Sequence, residues 1–150
     1  MQGLIQRVSS ASVSVEGETL GAIGQGLLLF LAVEPGDEEA TVQRLLKKVL
    51  GYRVFADDQG RMNRSLLAIH GELLVVSQFT LTADTRRGLR PSFSGGADPA
   101  MAERLYRRFI QLARENLGPE GLSGVASGRF AADMAVSLVN DGPVTFWLSA

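Results

Sequence analysis

Apolar residues hold a helix's 3.6-residue period in only two windows of this chain. Elsewhere they come in short runs broken by glycine, proline, asparagine and aspartate, which restricts the chain to a strand-rich fold carrying two helices. In the first window Val42, Leu45, Leu46, Val49 and Leu50 fall at i, i+3, i+4, i+7 and i+8, with Arg44, Lys47 and Lys48 on or beside the solvent side. Asp37 is the expected cap, Glu38 and Glu39 suit the positive end of the helix dipole, and Gly51 marks the end. The second opens at Asp98-Pro99, runs with Met101, Leu105, Phe109, Leu112 and Ala113 on one face, and stops at Gly118-Pro119.

The remaining apolar runs read as strands. Residues 4 to 15 suit one or two strands bent near Ser9 to Ser12, followed by a turn at Gly17. Thr19 to Ile23 and Leu27 to Val33, separated by Gly24-Gln25-Gly26, suggest a meander. Tyr52 to Phe55 precedes a turn at Asp57 to Gly60, and Glu72 to Val76 runs into Ser77-Gln78-Phe79-Thr80-Leu81. Leu122 to Val125, Met134 to Val139 and Val144 to Leu148 complete the set, the last two joined as a hairpin by Asn140-Asp141-Gly142-Pro143. The expectation is a single α+β domain over 1–150, with mixed or antiparallel sheets, sandwich or barrel-like, and two main helices.

A chain of 150 residues supports one core and buries roughly 70% of its unfolded surface. Fifteen Lys+Arg against sixteen Asp+Glu give a net charge of -1, so attraction to nucleic acid has to come from a local patch. The absence of cysteine removes thiolate nucleophiles and sulfur-ligated metals, and the single histidine, His70, leaves no imidazole cluster. No metal or other cofactor is expected. With no secretory pattern at the N-terminus, and Leu27 to Val33 as the longest apolar run, a cytoplasmic chain without a membrane span is expected.

Three segments stand out as chemical. Ser77-Gln78-Phe79-Thr80-Leu81 gathers three polar side chains where a strand yields to a loop, although the same spacing fits the outward half of a strand end. Asn140-Asp141-Gly142-Pro143-Val144-Thr145 permits a cis X-Pro bond, and it equally fits an ordinary tight turn. The stretch Thr82 to Ala97 places Arg86, Arg87 and Arg90 within five residues, with Phe93 as a stacking face. Such a loop binds phosphates or is simply a solvated basic loop. His70, beside Gly71, reads as a turn residue. GxGxxG and P-loop signatures are both missing.

Taken together, these segments resemble the D-aminoacyl-tRNA deacylases of the D-tyrosyl-tRNA deacylase type. The resemblance runs nearly end to end, through Leu4-Ile5-Gln6-Arg7-Val8, Val33-Glu34-Pro35-Gly36-Asp37, Met62-Asn63, Ser77-Gln78-Phe79-Thr80-Leu81, Arg90-Pro91-Ser92-Phe93-Ser94 and Asn140-Asp141-Gly142-Pro143-Val144-Thr145. One departure lies in Gly128 to Met134, where the family usually has glycine at the position of Ala131. The resemblance implies a homodimer with two active sites at its interface, each joining the Ser77–Leu81 segment of one subunit to the Gly-Pro turn of the other. It implies hydrolysis of D-aminoacyl-tRNA, with Gly142 and Pro143 acting as a chirality filter that admits achiral glycine and therefore Gly-tRNA.

Within that scheme, backbone N–H groups around Phe79 and Thr80 meet the oxyanion, while Ser77, Gln78 and the Thr80 hydroxyl order substrate or water. Thr80 lacks an evident base to make it a covalent nucleophile. Arg7 is expected to brace the Gly-Pro turn, Met134 to lie against the terminal adenosine, and Arg86, Arg87 and Arg90 to meet acceptor-stem phosphates. A non-catalytic RNA-end binding module and a scaffold dimer are the competing readings.

Overall fold

The computed structural model describes residues 1–86, 88–117 and 124–150. Its elements run β1 (Gln2–Val15), β2 (Glu18–Ile23), β3 (Gly26–Ala32), α1 (Glu39–Gly51), β4 (Phe55–Ala56), β5 (Met62–Arg64), β6 (Glu72–Ser77), a 3-10 turn (Phe79–Thr82), α2 (Pro99–Asn116), β7 (Val125–Ser127) and β8 (Ala135–Ser149). β1 organises the rest. Along one edge it pairs antiparallel with β8, from Gln2 opposite Ser149 to Ser14 opposite Ala135. Its other edge is shared, the first half with β3 and the second with β2. β6 joins β3 in parallel and β7 joins β6 in parallel. Parallel neighbours need long crossovers, and α1 and α2 lie in the two connections that provide them.

The order β2-β1-β3-β6-β7 curls until its ends approach one another. Gly21 permits this: a Cβ there would lie 2.9 Å from the Ala126 Cβ and 3.5 Å from the Ser127 amide nitrogen. The result is a nearly closed barrel with two cores. Val8, Ala11, Val13, Ile23, Leu28, Leu74 and Val76 fill the interior. Leu27, Leu29, Leu31, Leu73 and Val75 point outward beneath α1 and α2, where Leu45, Val49, Leu105 and Phe109 cover them. Burial on both faces explains why β3 is an almost unbroken apolar run. The α+β, barrel-like expectation with two helices holds.

Several local expectations are corrected. Residues 4 to 15 lie in one strand, and β2 and β3 form no meander, because β1 lies between them. Gly26 is required by close approach rather than by a reversal, since a Cβ would run into the Glu72 backbone. The turn expected at Gly17 is present, as Glu16-Gly17, with φ of +52° and +84°. Asp37 does not cap α1. Glu38 occupies that position, and the Asp37 carboxylate accepts from the Met1 amino group at 2.8 Å and the Glu34 amide at 2.7 Å. Tyr52 to Val54 precede a two-residue strand that pairs with β5, which the sequence reading lacked. The segment after Ser77 is a 3-10 turn rather than a strand end. Met134 precedes the last strand, and the expected hairpin at Asn140 to Pro143 is no reversal, because β8 continues through it against β1. Asp98 caps α2 as expected, accepting from the Met101 amide at 2.9 Å. Gly118-Pro119 and the Leu122-Ser123 start of the expected strand lie outside the described residues.

Candidate active site

β6 ends at the barrel mouth, where the Gln78 amide donates to the Leu31 carbonyl at 2.8 Å and the chain turns into the 3-10 segment. Beside this turn opens a pocket of about 600 Å³. Ser77, Gln78 and Phe79 form one wall, Phe93 and Ala97 another, Ala102 and Tyr106 of α2 the floor side, and Phe130 to Met134 the last. The sequence brings these parts together because β6 and α2 share the outer core while Met134 and Val136 pack toward the barrel interior.

The first N–H groups of a 3-10 turn have no partner inside it, which leaves those of Phe79 and Thr80 at its opening. Gln78 Nε2 donates to Thr80 Oγ1 at 2.6 Å, and Thr82 Oγ1 donates to the Phe79 carbonyl at 2.8 Å, so the turn is braced by its own side chains. Phe79 is 66% exposed and meets Phe93 with ring centroids 5.1 Å apart. The Tyr106 hydroxyl lies 3.0 Å from the Val75 carbonyl and 3.2 Å from that of Gly128, joining β6 to the segment after β7. Burial pushes its pKa up to about 12, against the lowering effect of the Gly128 and Ser77 backbone. Gly128 leaves room for Met134, whose sulfur would stand 2.5 Å from a Cβ there.

The Gly142–Pro143 segment forms a bulge in β8. Gln6 faces Thr145 and Val8 faces Asn140, so Asp141, Gly142, Pro143 and Val144 stand opposite Arg7 alone. The Gly142–Pro143 peptide is cis. Arg7 Nε donates to the Asp141 carbonyl at 2.8 Å and lies 3.3 Å from its carboxylate, while Nη1 donates to the Val54 carbonyl at 2.6 Å. Asn140 closes the bulge from within: its Oδ1 accepts from the Val144 amide at 2.7 Å, and its Nδ2 donates to Thr145 Oγ1 at 3.1 Å.

The structure therefore gathers Ser77, Gln78, Phe79 and Met134 at one pocket, with Thr80 exposed on the adjoining turn. Gly142, Pro143 and Arg7 are not in that lining. Gly142 lies six positions along β8 from Val136, about 20 Å along a strand. Arg86 is exposed and grips Asp84 through two contacts, at 2.9 and 2.7 Å, holding that carboxyl well below the usual carboxylate range. Arg90 is exposed, and Arg87 lies outside the described residues. Sequence reasoning missed Tyr106 and Phe130. Tyr106 had a signal, because Ala102, Tyr106, Phe109 and Ala113 share the i, i+4, i+7, i+11 spacing of one helix face.

Residues 4–149 match the family described as D-Tyr-tRNA(Tyr) deacylase. The chain is 62% identical over 148 residues to a D-aminoacyl-tRNA deacylase of Aeromonas hydrophila, covering 99% of each. It is 59% identical over 145 residues to one of Stenotrophomonas maltophilia, covering 97% of each. Among solved structures, a c-Myc DNA unwinding element binding protein superposes with a TM-score of 0.93 at 36% identity, covering 100% of this chain and 99% of the other. A probable eukaryotic D-amino acid tRNA deacylase shares the fold at a TM-score of 0.85 and 16% identity, covering 99% and 98%. With a match that spans almost the whole sequence and relatives this similar along their full length, the chain belongs to the D-Tyr-tRNA(Tyr) deacylase family.

Proposed function

We propose that this chain, as a D-aminoacyl-tRNA deacylase, hydrolyses the ester that joins a D-amino acid to the 3′ end of tRNA, with the 3-10 turn at the barrel mouth as its reaction centre. Water adds to the ester carbonyl carbon, the bond from that carbon to the ribose oxygen breaks, and the water's proton passes to the departing ribose. The N–H groups of Phe79 and Thr80 meet the developing oxyanion. Ser77, Gln78 and the Thr80 hydroxyl orient substrate or water, and Met134 packs against the terminal adenosine. The ester is already reactive and carries a neighbouring ribose hydroxyl, so positioning supplies most of what the reaction needs.

The separation of the bulge from the pocket carries the rest of the reading. About 20 Å of strand keeps Gly142 from the pocket of its own chain, so the two meet only if a second copy supplies the bulge. Val139, Phe146 and Trp147, 57%, 37% and 53% exposed, are large apolar side chains that β8 leaves partly uncovered on its two faces, which suits a partner seated against this strand. The braced Gly142–Pro143 backbone then accepts the Cα arrangement of a D-aminoacyl group and forces an L side chain into its wall. Rejection by main chain ignores side-chain identity, and achiral glycine passes, which makes Gly-tRNA a further substrate. The setting for such proofreading is the cytoplasm.

Hydrolysis of D-Tyr-tRNA and L-Tyr-tRNA, followed side by side, tests this. Catalytic amounts of protein are expected to release D-tyrosine and spare the L-ester. An unchanged lifetime of D-Tyr-tRNA would leave a module that binds RNA ends without turnover.

A further inference from the structure

Behind the pocket, across the Tyr106 and Phe130 side chains that line both, lies a second concavity of about 540 Å³. Arg107 and Arg114 of α2 and Arg129 after β7 line it, all three exposed, against one carboxylate, Glu115. We propose that this concavity is a phosphodiester-binding subsite that holds the backbone of the acceptor arm while the esterified 3′ end occupies the pocket. The proposal rests on the deacylase reading and extends it to a surface outside the reaction centre.

Charge bookkeeping favours this place. A net charge of -1 provides no general attraction for RNA, so phosphate contacts depend on a local cluster. In the loop after the 3-10 turn, Arg86 already spends its guanidinium on Asp84, which offers a competing anion at 2.7 Å. In the concavity, Arg107 is paired in the same way, with Nε and Nη2 on one oxygen of Glu103 at 3.0 and 2.6 Å, so the excess positive charge there comes from Arg114 and Arg129, which share the lining with it. Glu115 is itself engaged, accepting from Gln111 Nε2 at 2.9 Å. Three guanidiniums thus line a hollow one aromatic layer from the place where the terminal nucleotide sits. A planar fork of donors suits phosphate oxygens, and the Phe130 ring gives a neighbouring sugar or base an apolar contact.

The test uses full-length D-Tyr-tRNA beside D-tyrosyl-adenosine, an ester of the same chemistry without phosphates, for wild type, R114A/R129A and R114K/R129K. Loss of two single-strand or duplex phosphate contacts is expected to flatten the slope of log(kcat/KM) against log[salt] by about 1.4 to 1.8 and to raise KM for the tRNA about ten-fold at low salt. The expected kcat is unchanged, D-tyrosyl-adenosine is hydrolysed at the wild-type rate, and the lysine variant keeps most of the salt slope. A slope unchanged in the alanine variant, or equal slowing of both substrates, overturns the subsite while leaving the deacylase intact. Failure of the wild type on both esters overturns the deacylase reading itself.

Discussion

Ala131 lines the pocket in the left-handed region, at φ +59°, where an L residue costs about 1–2 kcal/mol relative to right-handed backbone. Ala131→Gly removes that cost and returns about 0.5–1 kcal/mol to the unfolded chain as freedom. The expected net gain is up to about 1.5 kcal/mol, read as a rise of up to about 3–6 °C in Tm. A lower Tm would show that the methyl group contributes packing that outweighs its backbone. Tyr106 is the other telling side chain. Burial pushes its hydroxyl from an ordinary value of 10 to about 12, so the neutral form is favoured by folding. That contribution is whole below pH 10 and is lost as pH climbs from 10 through 12, about 2–3 kcal/mol in all. Urea melts across this range are expected to show the decline in wild type and its absence in Tyr106→Phe. The hydroxyl's role escaped the sequence because a helix period places Tyr106 on the inner face without revealing that the Val75 and Gly128 carbonyls wait there.

Elements formed by neighbours in sequence were legible, and those formed by distant partners were not. Both helices followed from periodicity and from a cap or glycine beside them, since every interaction involved is local. Asn140-Asp141-Gly142-Pro143 and Gly24-Gln25-Gly26 have turn composition, yet whether such a stretch reverses the chain depends on what its flanks pair with. Here both flanks pair with β1, more than a hundred residues away for β8, so the first becomes a bulge and the second a link between the two strands on β1's other edge. Ser77, Gln78 and Phe79, singled out as polar or loop-entry residues in the sequence, line the pocket, whereas their conformation was not legible, because alternation cannot separate a strand end from one 3-10 turn. The bulge makes its own prediction. Asn140 spans it with three contacts, the shortest 2.7 Å from Oδ1 to the Val144 amide, and Asn140→Ala frees that backbone. D-Tyr-tRNA hydrolysis is expected to fall and the ratio of D to L rates to drop about ten-fold, equivalent to about 1.4 kcal/mol of lost discrimination. An unchanged ratio would remove the bulge from chiral selection.

At the scale of the whole molecule, the decisive question is whether one chain holds a complete site. Among the described residues β8 pairs with β1 alone, so its outer edge is open, and long open edges with apolar neighbours favour association. Two variants damage opposite halves of the proposed shared site. Phe79→Pro deletes one N–H at the first position of the 3-10 turn, where proline is tolerated, and loss of an oxyanion donor costs about 10²–10³ in kcat. Gly142→Ala drives a Cβ to 2.6 Å from the Val144 nitrogen and displaces the bulge. Each homodimer then carries two defective sites. In a mixed dimer, however, one site receives both defects and the other receives none. Refolding the variants together at equal amounts makes about half of the dimers mixed, so about a quarter of wild-type sites become whole. D-Tyr-tRNA hydrolysis is expected to return to about that fraction, rising and falling with the mixing ratio as the product of the two subunit fractions. If each chain held its own complete site, every site would keep one defect at any ratio, and mixing would restore nothing.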